Sequence, residues 1–294
     1  MLGRGEVNQL LDTHGLEARK ALGQNFVVDP QVVMRIAQLA RVGSGDRVVE
    51  IGPGLGSLTL ALHETGASVL AIEKDESLVP VLRSVLDARG AEAVRIITAD
   101  ALESDWTEIL GSDQAAKEDS KQGGPGISDG EQSRRWSLVA NLPYNVAVAM
   151  VMDVLENAPM VERMLLMVQA EVADRLAASP GGRTIGIPSI QLGWYATAER
   201  VGTIDPDAFV PKPNVTSALI EIVRRTEPSD LVTCSQMMTL VADAYRHRRK
   251  MLRSTLSRRV ESADFERAGV PPTARPEELG VADWVRLTEA VYAT

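Results

Sequence analysis

Residues Val48–Thr59 read V-V-E-I-G-P-G-L-G-S-L-T, and this stretch restricts the chain to few folds. An apolar run of Val48, Val49 and Ile51 ends in glycines at positions 52, 54 and 56. Leu58, Leu60, Ala61 and Leu62 then begin a helical pattern. Strand, glycine turn and helix together open a nucleotide-binding βα unit. Glycine lets the backbone turn tightly and approach a ligand, because no Cβ stands in the way. The spacing departs from the dinucleotide fingerprint G-x-G-x-x-G: its third position falls on Ser57, with Gly56 one residue early. Glu50, at the strand end, would repel a pyrophosphate. A ligand without phosphate and with positive charge suits this turn better. S-adenosylmethionine, an adenosine carrying a sulfonium cation, is such a ligand.

The pattern repeats downstream. A second apolar strand, Val69–Ile72, ends at Glu73, at the distance from the turn where an acid reaches the ribose hydroxyls of a bound nucleoside. A third, Val94–Thr98, leads to Asp100. A fourth, Ser137–Ala140, ends in Asn141-Leu142-Pro143-Tyr144, and a fifth covers Met164–Val168. Helical patterns separate them, so the expectation is a parallel sheet with helices on both faces. In such sheets the working groups lie at the C-terminal ends of the strands. Glu50, Glu73, Asp100 and Asn141 each close an apolar strand.

Arg200–Ile204 and Ala218–Val223 read as a late strand pair, and Arg224–Pro228 as a domain boundary. Beyond it, Gln236–Val260 reads as one long helix ending in a basic run, followed by shorter helices at Ala263–Ala268 and Val281–Tyr292. The expected domains are therefore an α/β unit over 1–227 and a small all-α unit over 228–294. Residues 111–135 are polar and glycine-rich, with Ile127 as their one large apolar residue. They read as a mobile surface loop.

Charge narrows the partner. The net charge of −9 opposes nucleic-acid binding, but it is unevenly distributed. Residues 103–131 hold eight acids against two lysines, a local −6 that leaves −3 for the rest of the chain. Arg246–Arg259 holds seven basic residues and no acid, among them Arg246, Arg248, Arg249, Lys250 and Arg253. Local fields of this kind decide a partner more than the total does. One cysteine, Cys234, excludes an internal disulfide and fits a reducing compartment such as the cytoplasm. His14, His63 and His247 are scattered without metal-ligand spacing, so no metal is expected. No apolar run is long enough to span a membrane, and the polar N-terminus does not read as a signal peptide.

Asn141–Tyr144 carries the chemistry. The lone pair of an adenine amino nitrogen is delocalised into the ring. It becomes nucleophilic when acceptors hold the two hydrogens and aim the nitrogen at a methyl group. The Asn141 side-chain oxygen and a backbone carbonyl at Leu142 or Pro143 can supply those acceptors. Pro143 stiffens the turn, and Tyr144 offers an aromatic face to the base. No basic side chain is required, since the proton can leave after transfer.

With these residues in place, the sequence resembles the ribosomal RNA adenine N6-dimethyltransferases, specifically the small-subunit KsgA/Dim1-type enzymes. The matching stretches are Lys20–Phe26, Glu50–Gly56, Ile72-Glu73, Ala99–Leu102, Asn141–Tyr144, Val168–Leu176, Phe209–Ser217 and Arg248–Leu256. The resemblance implies a Rossmann-like, class I S-adenosylmethionine-dependent methyltransferase domain with a helical C-terminal domain. It implies that Gln24, Asn25 and the Val27 backbone close over the methionine end of the cofactor, near Gly52 and Gly54. Glu73 would hold the ribose and Asp100 the cofactor adenine. Asn141 and Tyr144 would orient the target base, with Phe209 stacked on its other face. Arg246–Arg259 would contact RNA phosphates. The implied reaction is dimethylation of two adjacent adenosines in the 3′-terminal hairpin loop of 16S ribosomal RNA, on a pre-ribosomal small subunit, by a monomer. Two other readings stand beside it. One is a 23S ribosomal RNA dimethyltransferase of the macrolide-resistance type, which usually carries Asn-Ile-Pro-Tyr. The other is a ribosome-assembly factor without chemistry, against which the intact Asn141–Tyr144 and glycine turn argue. The sequence departs from the family pattern at Val27, where Leu is usual, and in the length of the acidic stretch 111–135.

Overall fold

The computed structural model describes residues 1–19, 23–111, 135–143 and 145–293. The expected loop over 111–135 and Tyr144 therefore fall almost wholly outside the described residues. The chain opens with α1 (Arg4–His14), a two-residue strand β1 (Phe26–Val27) and α2 (Pro30–Ala40). Asp29 caps α2 by accepting from Gln31 N at 2.9 Å, with Pro30 in the first turn. β2 (Arg47–Ile51), α3 (Ser57–Glu64), β3 (Ser68–Glu73), α4 (Val79–Asp87) and β4 (Arg95–Thr98) follow. Then come β5 (Trp136–Asn141), α5 (Ala147–Asn157) and β6 (Val161–Gln169).

These strands form the sheet β4-β3-β2-β5-β6, and each neighbouring pair is parallel. Three later strands are β7 (Ala196–Ile204), β8 (Phe209–Val210) and β9 (Ser217–Arg224). β9 adds antiparallel to β6 with β7 beyond it, while the short β8 pairs with β1. The strand order reverses between β2 and β5, which is where an open α/β sheet forms a ligand crevice. Every residue of β2 is buried, so its near-continuous apolar run reflects burial on both faces. Register aligns the strand ends: Ile51 pairs with Ile72 on one side and with Ala140 on the other. The next residues, Gly52, Glu73 and Asn141, thus emerge at one edge.

The turn after β2 needs left-handed backbone at Gly52, Gly54 and Gly56, with φ of 70°, 59° and 89°. A Cβ on Gly56 would lie 2.7 Å from Leu82 Cδ1 of α4. Gly56 therefore does the close-packing work that the dinucleotide fingerprint gives to a residue one place later.

A second compact unit is helical. It gathers Glu171–Glu199 with Arg224–Thr294, while Met1–Ala170 and Arg200–Val223 form the first. The expected cut at residue 227 thus marks only the last of the crossings between the units. The sequence hides the first crossing because α6 (Ala170–Leu176) follows β6 directly, like any βα connection. The helical unit contains α7 (Ile187–Tyr195), α8 (Cys234–Tyr245), α9 (Leu252–Thr255), α10 (Ser262–Ala268) and α11 (Val281–Tyr292). Trp194, Met237, Leu240, Phe265 and Trp284 fill its core. The long helix expected over Gln236–Val260 is broken: α8 ends at Tyr245, and residues 246–250 are turns. Arg248 has tertiary partners at the break. Its guanidinium donates to the Arg183 carbonyl at 3.1 Å, faces Glu277 at 3.7 Å and lies over the Tyr245 ring at 6.0 Å. Among the described residues, no helix is long and apolar enough to cross a membrane.

The glycine turn yields a stability prediction. Gly56→Ala should destabilise the protein by about 2 kcal/mol or more, from left-handed strain and from overpacking against Leu82. Urea unfolding measures it, and a change below about 0.5 kcal/mol would mean that the turn tolerates a Cβ.

Candidate active site

A cavity opens at the C-terminal ends of β2, β3 and β5. It is lined by the glycine turn, Glu50, Glu73, Asp100, Asn141, Leu142 and Pro143, and by residues Gly23–Val27. Four strand-end residues from separate stretches of sequence thus meet in one hollow.

Glu73 ties two strand ends together. Its Oε2 accepts from Gly54 N at 2.9 Å, and its Oε1 accepts from Asp75 N at 2.8 Å. Burial raises its pKa, and backbone hydrogen bonds from Asp75, Gly54 and Lys74 pull it back. Each oxygen keeps a second lone pair, so the carboxylate can also accept from a pair of hydroxyls. Glu50 is more confined, at 1% exposure, and its Oε2 has no hydrogen-bond partner among the described residues. Burial, with the Glu73 charge adding to it, pushes Glu50 up to about 8, and the neighbouring Thr59 hydroxyl counters only part of this. Asp100 is already engaged. Lys74 pairs with its Oδ2, and Leu102 N donates to its Oδ1 at 3.1 Å. The Lys74 hydrogen bond holds Asp100 below the usual carboxylate range. Lys74 is well exposed, so it can swing aside for another donor at little cost.

Among the described residues, three acids and one exposed lysine are the charged ones lining the cavity. That lining disfavours phosphate and favours a cation. The unpartnered Glu50 oxygen is a buried acceptor at this acid-lined cavity, and S-adenosylmethionine, with its sulfonium and ammonium groups, fits the residues present.

Gly23–Val27 forms a strap over this site, and each of its five residues meets a different partner. A Cβ on Gly23, at φ 64°, would lie 2.9 Å from Pro143 Cβ. Gln24 Nε2 donates to Asp75 Oδ2 at 2.9 Å. The Asn25 carbonyl accepts from Asn141 Nδ2 at 3.0 Å. Phe26 lies against Gly54, with ring carbons 3.1 Å from where a Cβ would stand. Val27 pairs antiparallel with Phe209, at the start of β8. The family resemblance marks Gln24, Asn25 and Val27 but not these partners. Those of Gln24 and Asn25 lie 51 and 116 positions along the chain, and no local pattern encodes them.

Asn141 gains an orientation from the strap. Its nitrogen donates to a carbonyl, so Oδ1 is left as the acceptor of the side chain. The Pro143 carbonyl already accepts from Val146 N at 3.2 Å. No described residue donates to the Leu142 carbonyl, so of the two candidates Leu142 is the open one.

Phe209 departs from expectation. It is 1% exposed, sits in the apolar core with Phe26, Val28 and Ala208, and does not line the cavity. Its ring is covered in this structure, and its backbone pairs with the strap. In the helical unit, Arg249, Lys250 and Arg253 are exposed, whereas Arg246 pairs with Asp243 at 3.4 Å and Arg248 is tied to Glu277.

Comparison with known proteins agrees with this geometry. The family model "Ribosomal RNA adenine dimethylase" matches residues 15–292. The chain is 42% identical to the ribosomal RNA small subunit methyltransferase A of Cutibacterium acnes, over 99% of this chain and 94% of that one. It is 41% identical to the protein of that name from Thermobifida fusca, over 98% and 96%. Two solved structures share its fold. The 23S rRNA methyltransferase ErmE has a TM-score of 0.66 at 24% identity, covering 91% of this chain and 99% of that one. A dimethyladenosine transferase from Plasmodium falciparum has 0.70 at 19%, covering 88% and 94%. A class I methyltransferase sheet, an acidic cavity suited to a sulfonium cofactor and a family match along nearly the whole chain place this protein in the ribosomal RNA adenine dimethylase family.

Proposed function

We propose that this chain dimethylates N6 of two adjacent adenosines in a hairpin loop near the 3′ end of small-subunit ribosomal RNA. The relatives' names support the small subunit, as do Leu142 and the K-P-N-V-T-S stretch from Lys212 to Ser217. The partner is the pre-ribosomal small subunit, met by a monomer in the cytoplasm. The observation that carries the reading is the Asn141 hydrogen bond to Asn25, which leaves Oδ1 as an acceptor beside an acidic, cation-favouring cavity.

S-adenosylmethionine, when bound, supplies the methyl group from its sulfonium. Gln24, Asn25, Val27, Gly52 and Gly54 enclose its methionine end, Glu73 takes the ribose, and Asp100 takes the adenine. The Asn141 oxygen and the Leu142 carbonyl hold the two hydrogens of the target amine, so that its lone pair points at the methyl. The base must be splayed from its loop to reach them. Tyr144 supplies a stacking face. Phe209 supplies the other only if the strap's pairing with it loosens. In the helical unit, the exposed Arg249, Lys250 and Arg253 contact RNA phosphates.

Three outcomes test this. Asn141→Ala should lower methyl transfer to undermethylated small subunits by about 100-fold or more at saturating cofactor, while a pull-down of the same particles persists. Full activity would remove Asn141 from the mechanism, and transfer only to large-subunit RNA would move the assignment to that class. Changing Arg249, Lys250 and Arg253 to Ala should weaken RNA binding and flatten its dependence on salt, because fewer counterions are released. An unchanged salt slope would mean that this face does not touch phosphate.

The third outcome concerns Glu50 in the cofactor-free protein. Its folded-state pKa of about 8 lies above the ordinary 4.5. Between those values the folded state holds a proton that the unfolded state has lost. Stability should therefore fall as pH rises from about 5 to 8. Glu50→Gln should flatten that fall in melting temperature. An identical pH profile in both proteins would show that Glu50 is ionised without a ligand.

A further inference from the structure

Asp75 does not line the cavity, yet it holds the strap. It is 4% exposed. Its Oδ1 accepts from Ser77 N at 3.1 Å and Ser77 Oγ at 2.6 Å, and Arg19 Nη1 stands 3.2 Å away. Its Oδ2 accepts from Gln24 Nε2 at 2.9 Å. The two oxygens thus divide their work: one builds the turn after β3, the other anchors the strap. The Gln24 amide is fixed in turn, because its Oε1 accepts from Arg19 N at 2.8 Å.

The strap cannot adjust locally. Gly23 lies too close to Pro143 for any side chain, and Asn25 Nδ2 donates to the Gly23 carbonyl at 3.0 Å, closing the turn between them. A displacement of Gln24 is therefore passed to the Asn25 carbonyl one residue on. That carbonyl is what Asn141 Nδ2 is bonded to.

We propose that Asp75 is a positioning residue for methyl transfer: through Gln24 it seats the strap, and through the Asn25 carbonyl it sets the orientation of the Asn141 amide. The cofactor side and the target-base side of the site are thereby joined by one side chain that touches neither ligand. Release of Gln24 from Asp75 lets Asn141 rotate and frees the strap over the cofactor cavity in the same movement. This rests on the methyltransferase reading of the site.

The donor and acceptor pattern gives a specific test. Asp75→Asn keeps an Oδ1 for Ser77 but sets an amide NH2 against the Gln24 NH2. Flipping Gln24 does not help, since it would turn that NH2 toward Arg19 N. Gln24→Glu sets two carboxylates together. Combining Asp75→Asn with Gln24→Glu restores the bond with its direction reversed, and the carboxylate introduced at position 24 still accepts from Arg19 N. Three readouts are needed: kcat at saturating cofactor and RNA, the dissociation rate of S-adenosylmethionine in the absence of RNA, and hydrogen exchange of the Gly23–Val27 amides.

Each single variant should lower kcat by about tenfold or more, the scale of one charge-assisted hydrogen bond, and speed cofactor dissociation and strap exchange. The double variant should recover most of the strap protection and of kcat. Single variants that keep wild-type kcat and strap protection would overturn the proposal. So would a double variant no better than the worse single one, or slow exchange at the strap alongside lost activity. Should Asp75→Asn fail to fold, Gln24→Glu and the double variant still decide it. Absence of methylation by the unmutated protein would instead refute the functional reading, while the cofactor and exchange measurements continue to test Asp75.

Discussion

The site depends on a buried carboxylate. Glu73 closes β3 and accepts from Gly54 N, in the turn that follows β2. A buried backbone N–H without a partner costs about 1–3 kcal/mol, and left-handed glycines supply no side chain to satisfy one. The carboxylate fixes where the turn runs, and the turn fixes where Phe26 lies, because its ring rests on Gly54. The strap follows from Phe26, and the Asn141 orientation follows from the strap. The sheet contributes the register that brings these strand ends level. A carboxylate bonded in this way is part of the scaffold as well as a ligand group, so its removal would disturb the turn together with any contact to a ribose.

Electrostatics then select what enters. Glu50, Glu73 and Asp100 are crowded round one cavity, and burial works against ionising the first two. A cation relieves that cost, and an anion adds to it. The basic run Arg246–Arg259 lies elsewhere in the sequence, beyond Tyr245. Cations beside the cavity would pair with its acids, as Lys74 does with Asp100. A chain with a net charge of −9 thus carries a local basic run in one unit and an acid-lined cavity in the other.

The strand ends are legible in the sequence because each is the polar residue that stops an apolar run, and burial on both faces makes those runs conspicuous. The glycine turn is legible because it follows directly on such a run. Other features leave no such trace. β1 and β8 are two residues each, too short for any period to appear. Asp75 sits in a charged run, Glu73–Glu76, where it reads as one more solvated acid, and only the fold brings Gln24 to it. The break after Tyr245 carries no glycine or proline. Arg248 meets tertiary partners there, and helical propensity gives no warning of them. The family resemblance implies a base-stacking ring at Phe209, but the residue pairs with Val27 and its ring lies in the core.

If this site aims the amino group of adenosine at a methyl donor, nucleoside mass spectrometry shows it most directly. Small subunits from cells lacking the protein would be incubated with the purified chain and S-adenosylmethionine, and their ribosomal RNA digested and mapped. The expected product is N6,N6-dimethyladenosine at two neighbouring positions in one hairpin loop near the 3′ end, absent when the protein is omitted. Methyl groups on other bases, on ribose or on large-subunit RNA alone would contradict that aim.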